Sequence, residues 1–392
     1  MYSLNPALAA ELEALKQNPL FTQPGVLYGS SAGRSIINGK DVIMLCSNNY
    51  HALTVHPKVI SKVKEALDHY GSGLGSGRGL ASMKIQLELE EKLSEFKQTG
   101  ATLTFQTGYD TNLATVWALT SQADVCVCDE FNHASVFDGL NLSHAKLEAY
   151  PHLNLQRLEE SLKKSQGARR VIVITPSVFP LEGDIAPLPE IVKLAEEYSA
   201  FVYVDDSHAV GVLGKKGTGI VDHFGLHGKV EIQVGTLSKA LGSVGGYVTG
   251  SLELREYLFR NARPFSQATG HVAPPSAAAA IAAIEVLQED PSFLERLWSN
   301  AKYFRDSIRA LGFDTGNSAT PIVPIVIGNE SKAAQFRDLL FEEKVFVQGF
   351  GFPTLPKGKA KLRTIVSSAH SREDLDFCLS AFEKVGKTLG VI

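Results

Sequence analysis

Short apolar runs punctuate the first two-thirds of the chain, at Ala101–Phe105, Val125–Cys128, Val171–Ile174 and Phe201–Val204, then at Ile232–Val234 and Tyr247–Thr249. Runs of this length, bounded by turn-forming residues, predict buried strands. Between the earlier runs the apolar positions change to a spacing of three and four, over Gln86–Phe96, Thr111–Thr120, Leu155–Lys164 and Leu188–Tyr198, which predicts helices. The alternation implies a mostly parallel sheet covered by helices. From about residue 275 the texture changes. An Ala-rich helix (Ser276–Leu287) and a second helix (Phe293–Leu311) lead to strand-like Ile322–Ile327, helix Ser331–Phe341, strand-like Leu362–Val366 and a last helix after Ser371. Three parts are expected: an N-terminal helix and arm over 1–49, a large α/β domain over 50–285, and a smaller α+β domain over 286–392.

Composition narrows the class without naming a function. Of 392 residues, 44% are hydrophobic and 20% charged, with a net charge of −4, as in an ordinary globular protein. No dense basic block marks a nucleic-acid or anionic-membrane partner. No stretch of 18 uncharged apolar residues is present, so no membrane span is expected. The N-terminal segment carries charges inside an amphipathic pattern, unlike a secretory leader, and a cytoplasmic protein is expected. Cys46, Cys126, Cys128 and Cys378 have no zinc-like spacing and read as buried, reduced thiols, so no metal is expected.

Open parallel sheets bind ligands where strand C-termini run into loops, and four segments there carry chemistry. Val202–His208 breaks from a strand into Asp205, Asp206 and His208. A carboxylate at a buried strand end is costly unless it meets a cation or a protonated nitrogen. Thr236–Lys239 sets a lysine in a mostly uncharged, Gly-rich loop, where an amine can lose its proton and attack a carbonyl. Phe105–Asn112 runs a strand through Gly108 into a helix, so backbone N–H groups at Thr107, Gly108 and Tyr109 can hold a phosphate. Asp129–Ser135 puts His133 just after another strand. Singly, a capped helix, a hydrogen-bonded turn or an exposed lysine explains each segment. Together they describe pyridoxal 5′-phosphate (PLP): a phosphate holder, a ring stacker, a carboxylate for the ring nitrogen and a lysine for the aldehyde.

With these residues in order, nearly the whole chain resembles the fold-type I PLP enzymes, and more narrowly the α-oxoamine synthases. The motifs run from Ser47–Tyr50 and Tyr70–Gly73 through Asp129–His133, Gly183–Leu188 and Asp205–His208 to Thr236–Lys239 and Lys357–Arg363. Gly183–Leu188, Gly217–Gly225 and Pro356–Arg363 look most similar to the glycine C-acetyltransferases. The resemblance implies that Lys239 bonds to the cofactor aldehyde and later moves the substrate α-proton. Asp205 pairs with the pyridine nitrogen, His208 with the ring 3-oxygen, and His133 stacks on the ring. Thr107, Gly108, Tyr109 and Thr236 hold the phosphate, and Arg363 clamps the amino-acid carboxylate with help from Asn49.

The implied reaction is a Claisen-type condensation of an amino acid, glycine first, with an acyl-CoA, acetyl-CoA first, with or without decarboxylation. A homodimer with shared sites is also implied. Alternatives are an 8-amino-7-oxononanoate synthase or serine palmitoyltransferase-like enzyme with a longer acyl donor, an aminotransferase, or a non-catalytic partner subunit. The chain departs from the family pattern at Pro176 and Pro180, at His51, at Gln86 where a His is common, and across Ala268–Ala273. His51 and His271 read equally as added acid–base or binding groups and as space-filling.

Overall fold

The computed structural model describes residues 4–21, 23–268 and 271–392. Its strands, in chain order, are β1 (Leu27–Tyr28), β2 (Arg34–Ile37), β3 (Lys40–Met44), β4 (Ala101–Phe105), β5 (Val125–Asp129), β6 (Lys146–Tyr150), β7 (Val171–Pro176), β8 (Phe201–Asp205), β9 (Ile232–Thr236), β10 (Gly246–Gly250), β11 (Ile322–Gly328), β12 (Val345–Phe346), β13 (Gln348–Phe350) and β14 (Ala360–Ile365). The chain divides into two compact units, one formed by Asn48–Pro180 with Asp184–Arg296 and the other by residues through Ser47, Leu181–Gly183 and Leu297–Ile392.

The larger unit is built on a seven-stranded sheet ordered β4-β10-β9-β8-β7-β5-β6. Strands β9, β8, β7, β5 and β6 are parallel neighbours, and β10 alone runs against them, antiparallel to both β4 and β9. Strands β5 and β7 are buried along their whole length, as parallel strands covered on both faces must be. Cys126 and Cys128 lie in the core with Leu103, Phe105, Ile174 and Val234, and all four cysteines are free. On the other side, the helix Pro274–Glu289 packs on Pro57–Tyr70 and Lys84–Lys97. Its run of buried alanines lets the helix axes approach closely.

The smaller unit holds a sheet ordered β1-β2-β3-β12 and an antiparallel one ordered β11-β14-β13. Phe304, Phe313, Phe336 and Phe382 fill its core, with ring centroids 5.7 to 6.2 Å apart. Residues 1–49, expected as a separate helix and arm, instead contribute three strands here. Strand β3 pairs in parallel with β12, and the Ile365 N–H donates to the Leu45 carbonyl at 2.7 Å. The large unit likewise extends past residue 285, to Arg296.

Candidate active site

Strand register assembles the site at one end of the large sheet. Asp205, the last residue of β8, lies opposite Val234 on β9, and two residues further on Thr236 faces Gly246 on β10. Gly246 in turn lies opposite Phe105, the last residue of β4. Chain segments about 140 residues apart therefore meet in one row. Thr107 caps the helix Gly108–Leu119, its Oγ1 accepting the Asp110 N–H at 3.0 Å. Any Cβ at Gly108 would stand 2.9 Å from Cβ and Oγ1 of Thr236, so only glycine allows this approach. The start of the helix Gly108–Leu119 and the Thr236 side chain therefore lie against each other.

The two carboxylates of β8 part company. Asp205 is buried, with Oδ1 accepting the Ser207 N–H at 3.0 Å and Oδ2 accepting Nδ2 of Asn112 at 2.7 Å. Asn112 is itself fixed by the Tyr203 hydroxyl, which donates to its Oδ1 at 2.7 Å. Asp206 turns inward instead, to an ion pair with Lys97 at 2.5 Å that is almost wholly buried. Each Asp205 oxygen accepts one of these hydrogen bonds, and lone pairs remain on both.

Around it, Nδ1 of His208 lies 2.9 Å from the Tyr50 hydroxyl, both side chains being buried. His133 caps the helix Ala134–Ser143: its Nδ1 accepts the Ser135 N–H at 3.3 Å and lies 2.7 Å from Oγ of the same residue. Burial lowers the His133 pKa, opposed by the charge of Asp205 and reinforced by that of Lys239. The Tyr109 ring meets His133 edge-on at 5.9 Å, and its hydroxyl donates to Asp138. Lys239 is half-buried in the loop from β9 to β10, which is closed by N–H donation from Leu237 to the Gly245 carbonyl and from Gly242 to that of Lys239. Asn49 donates from Nδ2 to Oγ1 of Thr54 at 2.7 Å. Arg363 belongs to the other unit, on β14, with its guanidinium 4.9 Å from the Phe350 ring centroid.

The departures from the family pattern also have places. Nε2 of His51 lies 2.6 Å from the Gly211 carbonyl and its ring meets Phe293 edge-on at 5.8 Å; burial lowers its pKa to about 4. Gln86 accepts the Met83 N–H and donates to the Val272 carbonyl, each at 3.1 Å, tying a helix start to a distant loop. His271 is buried with neither ring nitrogen hydrogen-bonded, and burial takes its pKa to about 4. Thr269 and Gly270 lie outside the described residues. Pro176 ends β7 opposite Asp205. The next residue, Ser177, donates from both N and Oγ to the Asp205 carbonyl, at 2.9 and 3.1 Å.

Residues 40–382 match the model of the aminotransferase class I and II family. The 8-amino-7-oxononanoate synthase of Thermoanaerobacter pseudethanolicus is 51% identical over 384 residues, covering 97% of both chains. That of Symbiobacterium thermophilum is 48% identical over 393 residues, all of both chains. A serine palmitoyltransferase from S. paucimobilis, solved with a bound PLP–myriocin adduct, superimposes with a TM-score of 0.93 at 30% identity, again over all of both chains. The chain is an α-oxoamine synthase of the class I and II aminotransferase family. The fold is that of the fold-type I PLP enzymes, and dependence on PLP belongs to the family.

The narrower resemblance, to glycine C-acetyltransferase, gives way to these relatives, which are 8-amino-7-oxononanoate synthases. Asn112 and Tyr203 went unnoticed in the sequence. The only available signal was that Asn112 falls one helical turn after Gly108, on the face that meets β8. Among the described residues no cluster of metal-ligating side chains occurs, and no helix is long and apolar enough to cross a membrane.

Proposed function

We propose that this α-oxoamine synthase makes an 8-amino-7-oxononanoate-type product by decarboxylative condensation of L-alanine with a seven-carbon dicarboxylic acyl thioester. The carbon count of that product sets the substrates. Its C8 amine and C9 methyl are the α-carbon and side chain of alanine after loss of CO2. Its C1–C7 segment is a heptanedioyl group, released from its thiol as the new C–C bond forms. The reading rests on the 51% identity spanning 97% of a synthase named for that product.

PLP, when bound, supplies an aldehyde for the amino group and a ring that accepts the electron pair left at the α-carbon. Thr107, Gly108, Tyr109 and Thr236 bind its phosphate, and the Gly108–Thr236 approach fits that use. Asp205 holds the proton on the ring nitrogen, with the Asn112 amide fixing the carboxylate. His208, oriented by Tyr50, would pair with the 3-oxygen, and His133 would cover the ring. Lys239 Nζ provides the amine for the aldehyde and takes the α-proton. Arg363, with Asn49, binds the substrate carboxylate; for Arg363 its place in the motif Lys357–Arg363 supports this.

A homodimer belongs to the same reading. The N-terminal helix Leu4–Lys16 exposes Leu8, Leu12 and Leu15 at the spacing of one helical face. Sedimentation equilibrium at twice the chain mass is the expected result.

The test is thiol release and product mass with alanine, glycine or serine, each against heptanedioyl-CoA, acetyl-CoA and palmitoyl-CoA. Alanine with heptanedioyl-CoA is expected to react best and to release CO2. Preference for glycine and acetyl-CoA would restore the acetyltransferase reading, and preference for serine and palmitoyl-CoA would favour the palmitoyltransferase one. Amino transfer to a keto acid without thiol release would make the protein an aminotransferase.

A further inference from the structure

A second cluster of ionisable groups, two buried carboxylates around a partly buried histidine, lies outside the residues assigned to PLP. His152, two residues past β6, sits between two carboxylates. Its Nδ1 is 3.3 Å from both oxygens of Asp129, and its Nε2 is 3.1 Å from Oδ2 of Asp184. The ring stacks on Phe131 at 4.6 Å and takes Phe179 edge-on at 4.3 Å. An ionised carboxylate can only accept, so a ring flanked by two of them donates from both nitrogens and carries a positive charge. Burial opposes that charge, but Asp129 and Asp184 outweigh it and raise the pKa to about 9.

The cation ties together the loops that follow three strands. Asp129 ends β5, and its Oδ1 and Oδ2 accept the N–H groups of Phe131 and Leu153, each at 2.9 Å. Asn132 donates from Nδ2 to the carbonyls of Asp129 at 3.0 Å and of Ile174 on β7 at 2.8 Å. Beyond β7, the Phe179 N–H donates to the Asp184 carbonyl at 3.0 Å, and Val178 bridges to Ile185. The first of these loops runs directly into His133, which caps the next helix. Besides Asp129 and Asp184, Glu130 faces His152, its Oε1 accepting the His152 backbone N–H at 3.0 Å.

We propose that His152 is a positioning residue: clamped between Asp129 and Asp184, it fixes the loop Asp129–His133 and so the plane in which the His133 ring is presented to the cofactor. This rests on the assignment of His133 to the cofactor ring. A neutral side chain at 152 can satisfy one carboxylate but leaves the other buried without its counter-charge, so the loop loses one of its two anchors.

Histidine-selective 15N labelling of the apoprotein, titrated from about pH 6 to about pH 10, tests the clamp without cofactor. Both nitrogens of His152 are expected to be protonated at neutral pH and to ionise near the value of about 9, with the His133 signal stepping at the same midpoint. In His152→Gln the His133 signal is expected to be displaced throughout, with no such step. A His133 signal that ignores the ionisation, or that is unchanged in the variant, overturns the proposal. Should that variant fail to fold, Asp184→Asn serves in its place; the common midpoint is then expected to fall by about one unit or more, and an unmoved midpoint overturns the clamp.

In the PLP-loaded protein, the visible circular dichroism band is expected to weaken severalfold in His152→Gln and in His133→Ala, and no further in the double variant. Additive losses would mean that His152 acts independently of His133. A wild-type protein with no PLP band would overturn the proposed function, while the apoprotein titration would still decide the clamp.

Discussion

Oδ2 of Asp205 and Nδ2 of Asn112 are joined by a 2.7 Å hydrogen bond, and the same amide accepts from the Tyr203 hydroxyl at 2.7 Å. All three side chains are buried, so the carboxylate cannot rotate without breaking a bond that water cannot replace. Asn112→Ala is expected to lower kcat/KM about tenfold or more, corresponding to roughly 1–3 kcal/mol for one buried hydrogen bond, and to alter the PLP absorbance. Unchanged kinetics and spectrum would remove Asn112 from the machinery.

Lys97 and Asp206 form the buried ion pair behind the site, and Lys97 also donates to the Thr218 carbonyl at 2.5 Å. Lys97→Met leaves a buried carboxylate without its cation and is expected to cost about 3–5 kcal/mol of stability, measured by urea unfolding. Lys97→Met with Asp206→Asn is expected to recover much of the loss. No recovery would show that packing, not charge, accounts for the effect.

At the proposed phosphate site, Gly108→Ala pushes a methyl group to 2.9 Å from Thr236. The apoprotein melting temperature is expected to fall as Thr236 is displaced, and cofactor affinity, followed by dialysis and absorbance at a temperature where the variant stays folded, to weaken by about tenfold or more. Equal retention of PLP would place the phosphate elsewhere.

Burial holds His51 at a pKa of about 4, below the ordinary 6.5, despite its bond to the Gly211 carbonyl. The unfolded chain takes up this proton first, so the contribution is fully present above about pH 6.5 and is lost as pH falls toward 4. His51→Leu is expected to flatten the decline of melting temperature across that window. A decline as steep as in the wild type would exclude His51 as one of its sources.

Lys239→Ala is expected to abolish turnover with the fold retained, checked by thiol release and far-ultraviolet circular dichroism. Arg363→Ala is expected to raise the amino-acid KM strongly, as loss of a bidentate carboxylate clamp would. Normal turnover in the first, or an unchanged KM in the second, would withdraw that residue from its assigned role.

The six strands read from apolar runs all appear in the large sheet because they are buried there and their side chains carry the signal. Strand β6, Lys-Leu-Glu-Ala-Tyr, escaped because it lies at the sheet edge with four of its five residues at least partly exposed. Strands β2 and β3 form a local hairpin turned at Asn38–Gly39, both at positive φ, a signal the sequence does carry, whereas the two-residue β12 owes its form to β3, about 300 residues away. Asp205, His133 and Lys239 were visible because unusual residues followed obvious strands. Asn112 and His152 were not, since an amide on a helix and a histidine after an unrecognised strand gain meaning only from what they touch. The substrate was the least legible feature: one methylene shifts discrimination by only about 1–3 kcal/mol, and the chemistry-bearing motifs serve every acyl chain alike.

The placement of β10 bears on how the molecule comes into being on the ribosome. Among the described residues, strand β4 pairs in the sheet with β10 only, whose residues follow it by about 145 positions. Until Gly246–Gly250 leaves the exit tunnel, the nascent chain holds an apolar ribbon, Ala101–Phe105, with both hydrogen-bonding edges open. Non-local pairing of this kind slows folding and invites association with other chains. Gly108 and Thr236 come together only once that ribbon is captured, so on the proposed assignment the cofactor phosphate could be held only after most of the polypeptide has been made.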